Sequence, residues 1–380
     1  MTSLIKLSLA VLCLAASSIN AHSQGCVAVR PMGCSNAAHG GLDLLRKGEF
    51  QISGTYRHFK SFRHFRGDVE QHERLEDNTE VINVMHSAEI GLTYALSDRF
   101  SLTFGIPYTD YDRSSLYEHY GNSEDANPSH ARFHTGASGI GDSRFSANYW
   151  LRPIESPSNY SIGLGLKFPT GNPGVEGEFH KIAADGSDSV SVRPVDQSIQ
   201  LGDGGLGIVL ETQGFQRLFE GGYMYFGGFY LFNPRETNDV ARNPYASSQT
   251  SIISYFSVAD QYMARIGFQY IALPQQGVSL GLGGRIEGIP AHDALGGSNG
   301  YRRPGYSVMA EPTLAWLRGD FSAEINLPIA MYRNRIKSVS DLSDPTGKAH
   351  GDAAFADSML TIQLMYTFGG KDAETTTSQP

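Results

Sequence analysis

The strongest constraint on this chain is a period of two. Phe50, Ile52, Gly54 and Tyr56 alternate with Gln51, Ser53, Thr55 and Arg57. Ala88, Ile90, Leu92, Tyr94 and Leu96 alternate with Glu89, Gly91 and Thr93, and Phe100, Leu102, Phe104 and Ile106 with Ser101, Thr103 and Gly105. Successive strand side chains point to opposite faces, so each run reads as a two-faced strand. The pattern recurs in about twelve segments, near 49–60, 84–96, 99–107, 140–151, 159–169, 203–214, 220–233, 255–272, 276–288, 305–317, 320–333 and 356–368. No 3.6-residue period of helical length stands among them. The 255–272 run is ambiguous at its start, where residues 250–260 form either a separate strand or an extension of the eighth.

The connections alternate as well. Short ones fall near 97–98, 152–158, 215–219, 273–275 and 318–319; long polar ones fall near 61–83, 108–139, 170–202, 234–254, 289–304 and 334–355. Short turns at one end and long loops at the other are the layout of an outer-membrane barrel. An even strand count returns both termini to the periplasmic side. In lipid an unpaired backbone amide costs several kcal/mol, so a spanning sheet has to close. The expected fold is therefore an all-β, antiparallel transmembrane β-barrel of about twelve strands in a bacterial outer membrane. A strand of a soluble sandwich is the alternative.

Composition agrees. The chain has 43 Gly, 19 Tyr and 20 Phe in 380 residues, a profile of strands rather than helices. A net charge of −9 argues against nucleic acid as a partner. Mean hydropathy of −0.27 is too polar for a helical membrane bundle. Residues 1–21 have one Lys, an apolar run and small residues before Ala21, and read as a removed signal peptide containing Cys13. The exported chain keeps Cys26 and Cys34, which are expected to form a disulfide. The domain reading is then a 22–48 segment with the Cys pair, expected in or under the periplasmic mouth as a plug, a barrel over 49–368 and a polar tail over 369–380. The final strand alternates Leu360, Ile362, Leu364, Tyr366 and Phe368, and Phe368 resembles the terminal aromatic read by the barrel-assembly machinery.

If the apolar set faces lipid, its alternates face the lumen. They include Arg57, Glu89, Asp142, Arg144, Lys167, Glu211, Arg265, Arg285, Glu287, Glu311 and Glu324, six acids and five bases. A strongly ion-selective pore would show one sign; a balanced set predicts cross-lumen ion pairs, with direct substrate contact as the alternative. Glycines gather on the same face, among them Gly105, Gly163, Gly207 and Gly283, and leave room for a narrow conduit or a plug. The aromatic run at 221–232 sends Tyr or Phe rings into the lumen, to pack or to form a greasy binding patch.

Three short motifs fall at strand ends: G-I-G-D-S at 139–143, L-G-L-K-F-P-T-G at 164–171 and L-G-D-G at 201–204. Through Gly141-Asp142, Lys167, Pro169-Thr170-Gly171 and Gly202-Asp203 the chain resembles the outer-membrane family labelled putative MetA-pathway of phenol degradation. That family is similar in layout to the long-chain fatty-acid and aromatic-hydrocarbon uptake barrels. The resemblance implies a transporter-like barrel passing small hydrophobic or aromatic molecules, with lipid and lipopolysaccharide as surroundings.

Other patterns carry less. Gly202–Gly207 fits G-x-G-x-x-G but opens a strand, which makes a nucleotide site a coincidence. His58, His64, His72 and His86 read as solvated loop histidines without metal spacing. His86 and Ser87 are adjacent on a strand and point to opposite faces, so they do not form a nucleophile–base pair. The 292–306 loop, with Arg302 and Arg303, reads as solvated, with calcium or lipopolysaccharide as possible contacts. No catalytic residue, metal or cofactor is expected. The expected function is a passive channel or transporter for small molecules, hydrophobic or aromatic ones included; the alternative is a non-transporting anchor acting through its loops.

Overall fold

A computed structural model describes residues 44–244 and 251–370. Cys26, Cys34, the 1–21 leader and the 371–380 tail lie outside the described residues.

Twelve antiparallel strands close on themselves. In chain order they are β1 (Glu49–Arg66), β2 (Ile82–Ser97), β3 (Phe100–Ser115), β4 (Phe133–Ile140 continued by Ser143–Trp150), β5 (Ser158–Phe168) and β6 (Gly207–Phe219). They continue as β7 (Gly222–Phe232), β8 (Gln261–Leu273), β9 (Val278–Ile289), β10 (Gly305–Arg318), β11 (Phe321–Asn326 continued by Ile329–Asn334) and β12 (Ala353–Gly369). β12 pairs with β1 from Phe368↔Phe50 to Ala353↔Phe65, which leaves the barrel without an open edge. Two strands are interrupted. β11 breaks at Leu327-Pro328, where proline offers no N–H to the ladder. β4 breaks at Gly141-Asp142, for a reason given below.

The lipid face is the apolar alternation. Ile90, Leu164 and Leu282 are more than 60% exposed, as lipid contacts should be. Aromatic rings bound this face at both ends. Phe50, Tyr94 and Phe368 stack near the short turns, and Tyr306 packs on Tyr332 toward the long loops. On β10 the step from Tyr306 to Trp316 is ten residues. At about 3.3 Å each and a tilt near 40°, that is about 25 Å of membrane normal, the height of an outer-membrane apolar band.

Several expectations shift at the extracellular end. β1 runs past its expected end to Arg66, β3 to Ser115, and β4 begins earlier, at Phe133, in stretches where alternation fades because the outer face meets water. Residues 255–257 are not an extension of β8; they bridge to Thr237–Ala241 in the loop between β7 and β8. The loop after β5 contains its own hairpin, Glu176–Ile182 with Asp188–Pro194. The turn between β6 and β7 is at 220–221, because β6 continues to Phe219.

Candidate functional site

Each of the eleven charged residues singled out above points into the barrel. Six of them form one alternating chain across the middle. Arg57 on β1 meets Glu287 on β9 at 3.4 Å, and Arg285 meets the same Glu287 at 2.5 Å. Arg285 reaches Glu311 on β10 at 3.2 Å, Arg265 on β8 reaches Glu311 at 3.4 Å, and Arg265 reaches Glu324 on β11 at 3.5 Å. Because three strands, β10, β11 and β12, lie between β9 and β1 around the wall, the Arg57–Glu287 contact crosses the lumen. Three positive and three negative charges cancel. Each glutamate is fully buried, so an unbalanced member would leave a charge without compensation.

Nearer the periplasm, Arg144 on β4 reaches Glu89 on β2 at 2.7 Å over the intervening β3. The residue beneath that pair is Gly105, where an added Cβ would lie 3.2 Å from both Arg144 Nε and Glu89 Oε1. Asn148 similarly donates to Glu211 at 2.6 Å, above Gly163, whose Cβ would be 2.2 Å from the Asn148 oxygen. The inward glycines therefore do not leave a void at these places: a neighbour's polar side chain lies over each.

Small cavities flank the ion-pair layer. A cavity of about 70 Å³ lies on the periplasmic side of the ion-pair layer among Ser53, Thr93, Thr103, Ser146 and Gln363. Another of about 70 Å³ lies on the extracellular side among Phe59, Tyr111, Gln197, Asp203 and Gln261. Each has room for a handful of waters. Above the layer the inner wall carries an apolar patch among polar groups: Phe59, Met85 and Met359 form a buried cluster with Tyr111 against it. Of the rings in the 221–232 run, Tyr225 and Phe229 face inward; Phe229 packs with Val209, Leu231 and Met263, and the Arg265 guanidinium lies 5.6 Å from the centre of the Tyr225 ring.

The three short motifs meet in one substructure, and it explains the break in β4. Asp142 turns inward; its Oδ1 accepts the Gly171 N–H at 3.0 Å and its Oδ2 the Asp203 N–H at 3.0 Å. Thr170 Oγ1 accepts the Ser143 N–H at 2.8 Å and donates to the Gly141 carbonyl at 2.7 Å. Lys167 bonds both carboxylate oxygens of Asp203 and lies 3.9 Å from Asp142. Backbone meets backbone so closely that a Cβ on Gly202 would be 2.4 Å from the Gly171 carbonyl oxygen. The clamp consumes the amides that would otherwise continue the ladder. Above it, Phe133–Ile140 pairs with β3 alone, and its other edge faces the 169–206 loop instead of a barrel strand. That loop buries Val195, Ile199 and Leu201 against inward Ala137, with Tyr111 and Val175 packed beside them.

Some sequence expectations are corrected here. Arg302 and Arg303 are neither solvated nor on a surface that meets lipopolysaccharide. They are buried, and each forms a two-pronged pair, Arg302 with Asp293 at 2.7 and 2.6 Å and Arg303 with Asp196 at 2.7 and 2.7 Å. His64 is likewise buried, bonded to Asp352 at 3.1 Å and accepting the Val81 N–H at 2.9 Å. His58 and His86 stack at 4.4 Å on the outer wall, with Tyr56 hydroxyl 2.7 Å from His86 Nδ1. In the extracellular loops, burial opposes ionisation of Asp196, but Arg113 and Arg303 outweigh it and hold the carboxyl well below its usual range.

No family model and no curated protein matches the chain. In fold it is similar to an outer membrane channel from Pseudomonas putida F1, with a TM-score of 0.55 and 16% identity, covering 90% of this chain and 100% of that one. More distant likenesses are to a FadL homologue of Pseudomonas aeruginosa (TM-score 0.43, 9% identity, 91% of this chain and 99% of that one). Another is to the P. putida toluene transporter TodX (TM-score 0.43, 10% identity, 89% and 95%). The first likeness, with the closed wall and aromatic-bounded belt, makes this an outer-membrane β-barrel of the Gram-negative envelope; the other two are too distant to add to it.

Proposed function

We propose that the protein is a passive channel for small hydrophobic or aromatic molecules, and that it is not a general diffusion pore. The observation that carries this reading is the buried apolar cluster above the neutral ion-pair layer, close to a stretch of wall, Phe133–Ile140, where a barrel strand lacks a second strand partner. A charged or strongly hydrated solute would have to part the Arg57–Glu287–Arg285–Glu311 chain. An apolar solute held among Phe59, Met85, Met359 and Tyr111 faces a lower barrier sideways, past Phe133–Ile140, than downward through buried charge. A pure anchor gives no reason for this arrangement. The 22–48 segment, closed by a Cys26–Cys34 disulfide, belongs to the proposal as a plug in or under the periplasmic mouth; in support, the chain joins the wall at the periplasmic rim, where the Lys47 N–H donates to Asp98 at 2.8 Å.

The test is uptake of naphthalene by Gram-negative cells with intact lipopolysaccharide, with and without the protein. A higher initial rate with the protein, reduced when the β4 clamp is disrupted by Asp142→Asn, supports the reading. Equal rates with and without the protein refute it.

A further inference from the structure

Outside the lumen proper, the extracellular mouth holds a larger cavity of about 400 Å³, within the size range of small-molecule sites. Its wall is unusually basic. Arg74, Arg113, Arg242, Arg302, Arg303 and Arg335 all border it. Five of the six have a carboxylate: Asp352 holds Arg74 at 2.8 Å, Glu118 holds Arg113 at 2.8 Å, Asp341 holds Arg335 at 3.3 Å, and Asp293 and Asp196 hold Arg302 and Arg303 as above. Among the described residues Arg242 has no carboxylate partner. Its guanidinium lies 4.1 Å from the centre of the Tyr301 ring, and the residues following it contain no acid before Asp260. These six arginines and their five acids carry one positive charge in excess. Two buried donors on bordering arginines, Arg302 Nε and Arg335 Nε, are also without a hydrogen-bond partner. The rest of the lining is mixed: His64, Asn122, Ser338 and Ser340 are polar, Asp341 and Asp352 are the acids already named, and Val81, Ile253, Ala353, Ala354 and the rings of Tyr117 and Tyr301 supply an apolar and aromatic part.

We infer that this mouth cavity binds a small organic monocarboxylate with an apolar body, an aromatic acid being the best fit. The charge account selects a monoanion: one carboxylate neutralises the excess, whereas a dianion overshoots it. The planar fork of a guanidinium matches a carboxylate, and the Tyr117 and Tyr301 rings with Val81 and Ile253 offer a face to the ring. The inference concerns binding at the mouth and stands independently of the transport reading, since it is read in detergent without a gradient.

Titration calorimetry of the full exported chain, refolded in a neutral detergent, tests it with benzoate, benzamide and inorganic phosphate as probes. Benzoate is expected to bind at least about tenfold more tightly than benzamide, its uncharged analogue, and to weaken as salt is raised. Arg242→Gln should weaken benzoate about tenfold and leave benzamide unchanged, and Arg242→Lys should restore part of the loss. Benzamide binding as well as benzoate, phosphate binding more tightly than benzoate, or an Arg242→Gln barrel with undiminished benzoate affinity would each overturn the inference. Salt dependence in the unaltered protein decides the matter even if a variant fails to refold.

Discussion

Asp142 is the most exacting test of how the wall of this barrel is built. Its two oxygens accept one backbone N–H each, from Gly171 and Asp203, both at 3.0 Å, and Lys167 lies 3.9 Å away. Asp142→Asn keeps the shape but not the chemistry. An amide offers one acceptor oxygen, so one N–H is left facing an NH₂ donor, and the surviving bond loses its charge assistance. Hydrogen bonds to charged groups are worth about 1.5–3 kcal/mol each, and an orphaned buried donor costs about 1–3 kcal/mol. Together the change should destabilise the barrel by about 3 kcal/mol. At an m-value of roughly 2 kcal/mol/M, the urea midpoint of the refolded protein falls by roughly 1.5 M. The control is Asp112→Asn on β3, the same chemical change at a half-exposed site, where the partner is His134 at 2.9 Å. Exposed pairs contribute about 0–1 kcal/mol, so that midpoint should shift by less than a third as much. Equal shifts for the two variants would refute the claim that the motifs form a buried, charge-assisted clamp.

Three further outcomes are expected. Arg57→Gln removes one positive charge from a balanced layer, so single-channel recordings should show higher conductance and a shift toward cations; an unchanged reversal potential would contradict a lumen-crossing role for Arg57. Gly202→Ala forces a Cβ to 2.4 Å from a carbonyl oxygen, whereas Gly54 faces lipid with nothing within 4 Å of an added Cβ; heat-modifiable folding on gels should be lost in the first and intact in Gly54→Ala. His119 is held down to about 4, chiefly by burial, in the extracellular loop where its ring stacks on Phe179. Its depressed folded value means its neutral form is the stabilising one, so the contribution is full above the ordinary value near 6.5 and is lost as pH falls toward 4; protease nicking of the 176–194 hairpin should rise over that window and stay flat in His119→Gln.

The membrane-embedded fold was legible because lipid imposes it. A strand that faces hydrocarbon on one side must alternate, and alternation placed β2, β5, β7, β9 and β10 within about two residues of where they are. The same logic failed where lipid ends. Tyr108–Ser115 extends β3 with Asp110, Asp112 and Arg113 in the run, and no period survives when water bathes the outer face. The lower half of β4 was legible and its upper half, Phe133–Ile140, was not, since it contains two glycines and one charged neighbour's worth of contrast. The 176–194 hairpin was hidden for a related reason: its strands bury little besides Phe179.

The site was legible in its residues but not in its connections. Alternation alone put eleven charges on the inner face, and near-equal signs implied pairing, because buried charge must be compensated. Which acid meets which base depends on stagger and lumen width, neither of which a single sequence states. The glycines show the limit best. Seen along one strand, Gly105 or Gly163 is a missing side chain and so a hole; seen around the barrel, each is the floor on which Arg144 or Asn148 from the next strand lies. The same holds for Arg302 and Arg303, which look solvated in a Gly-rich loop. Their acids, Asp293 and Asp196, lie nine and 107 positions away, and only loops folded into the mouth bring the second pair together. Local composition reports what a residue can do, and the closed wall decides what it is placed against. The basic mouth cavity therefore had to be found in space: its six arginines are drawn from five separate connections and strand ends, and no window of the sequence contains more than two of them.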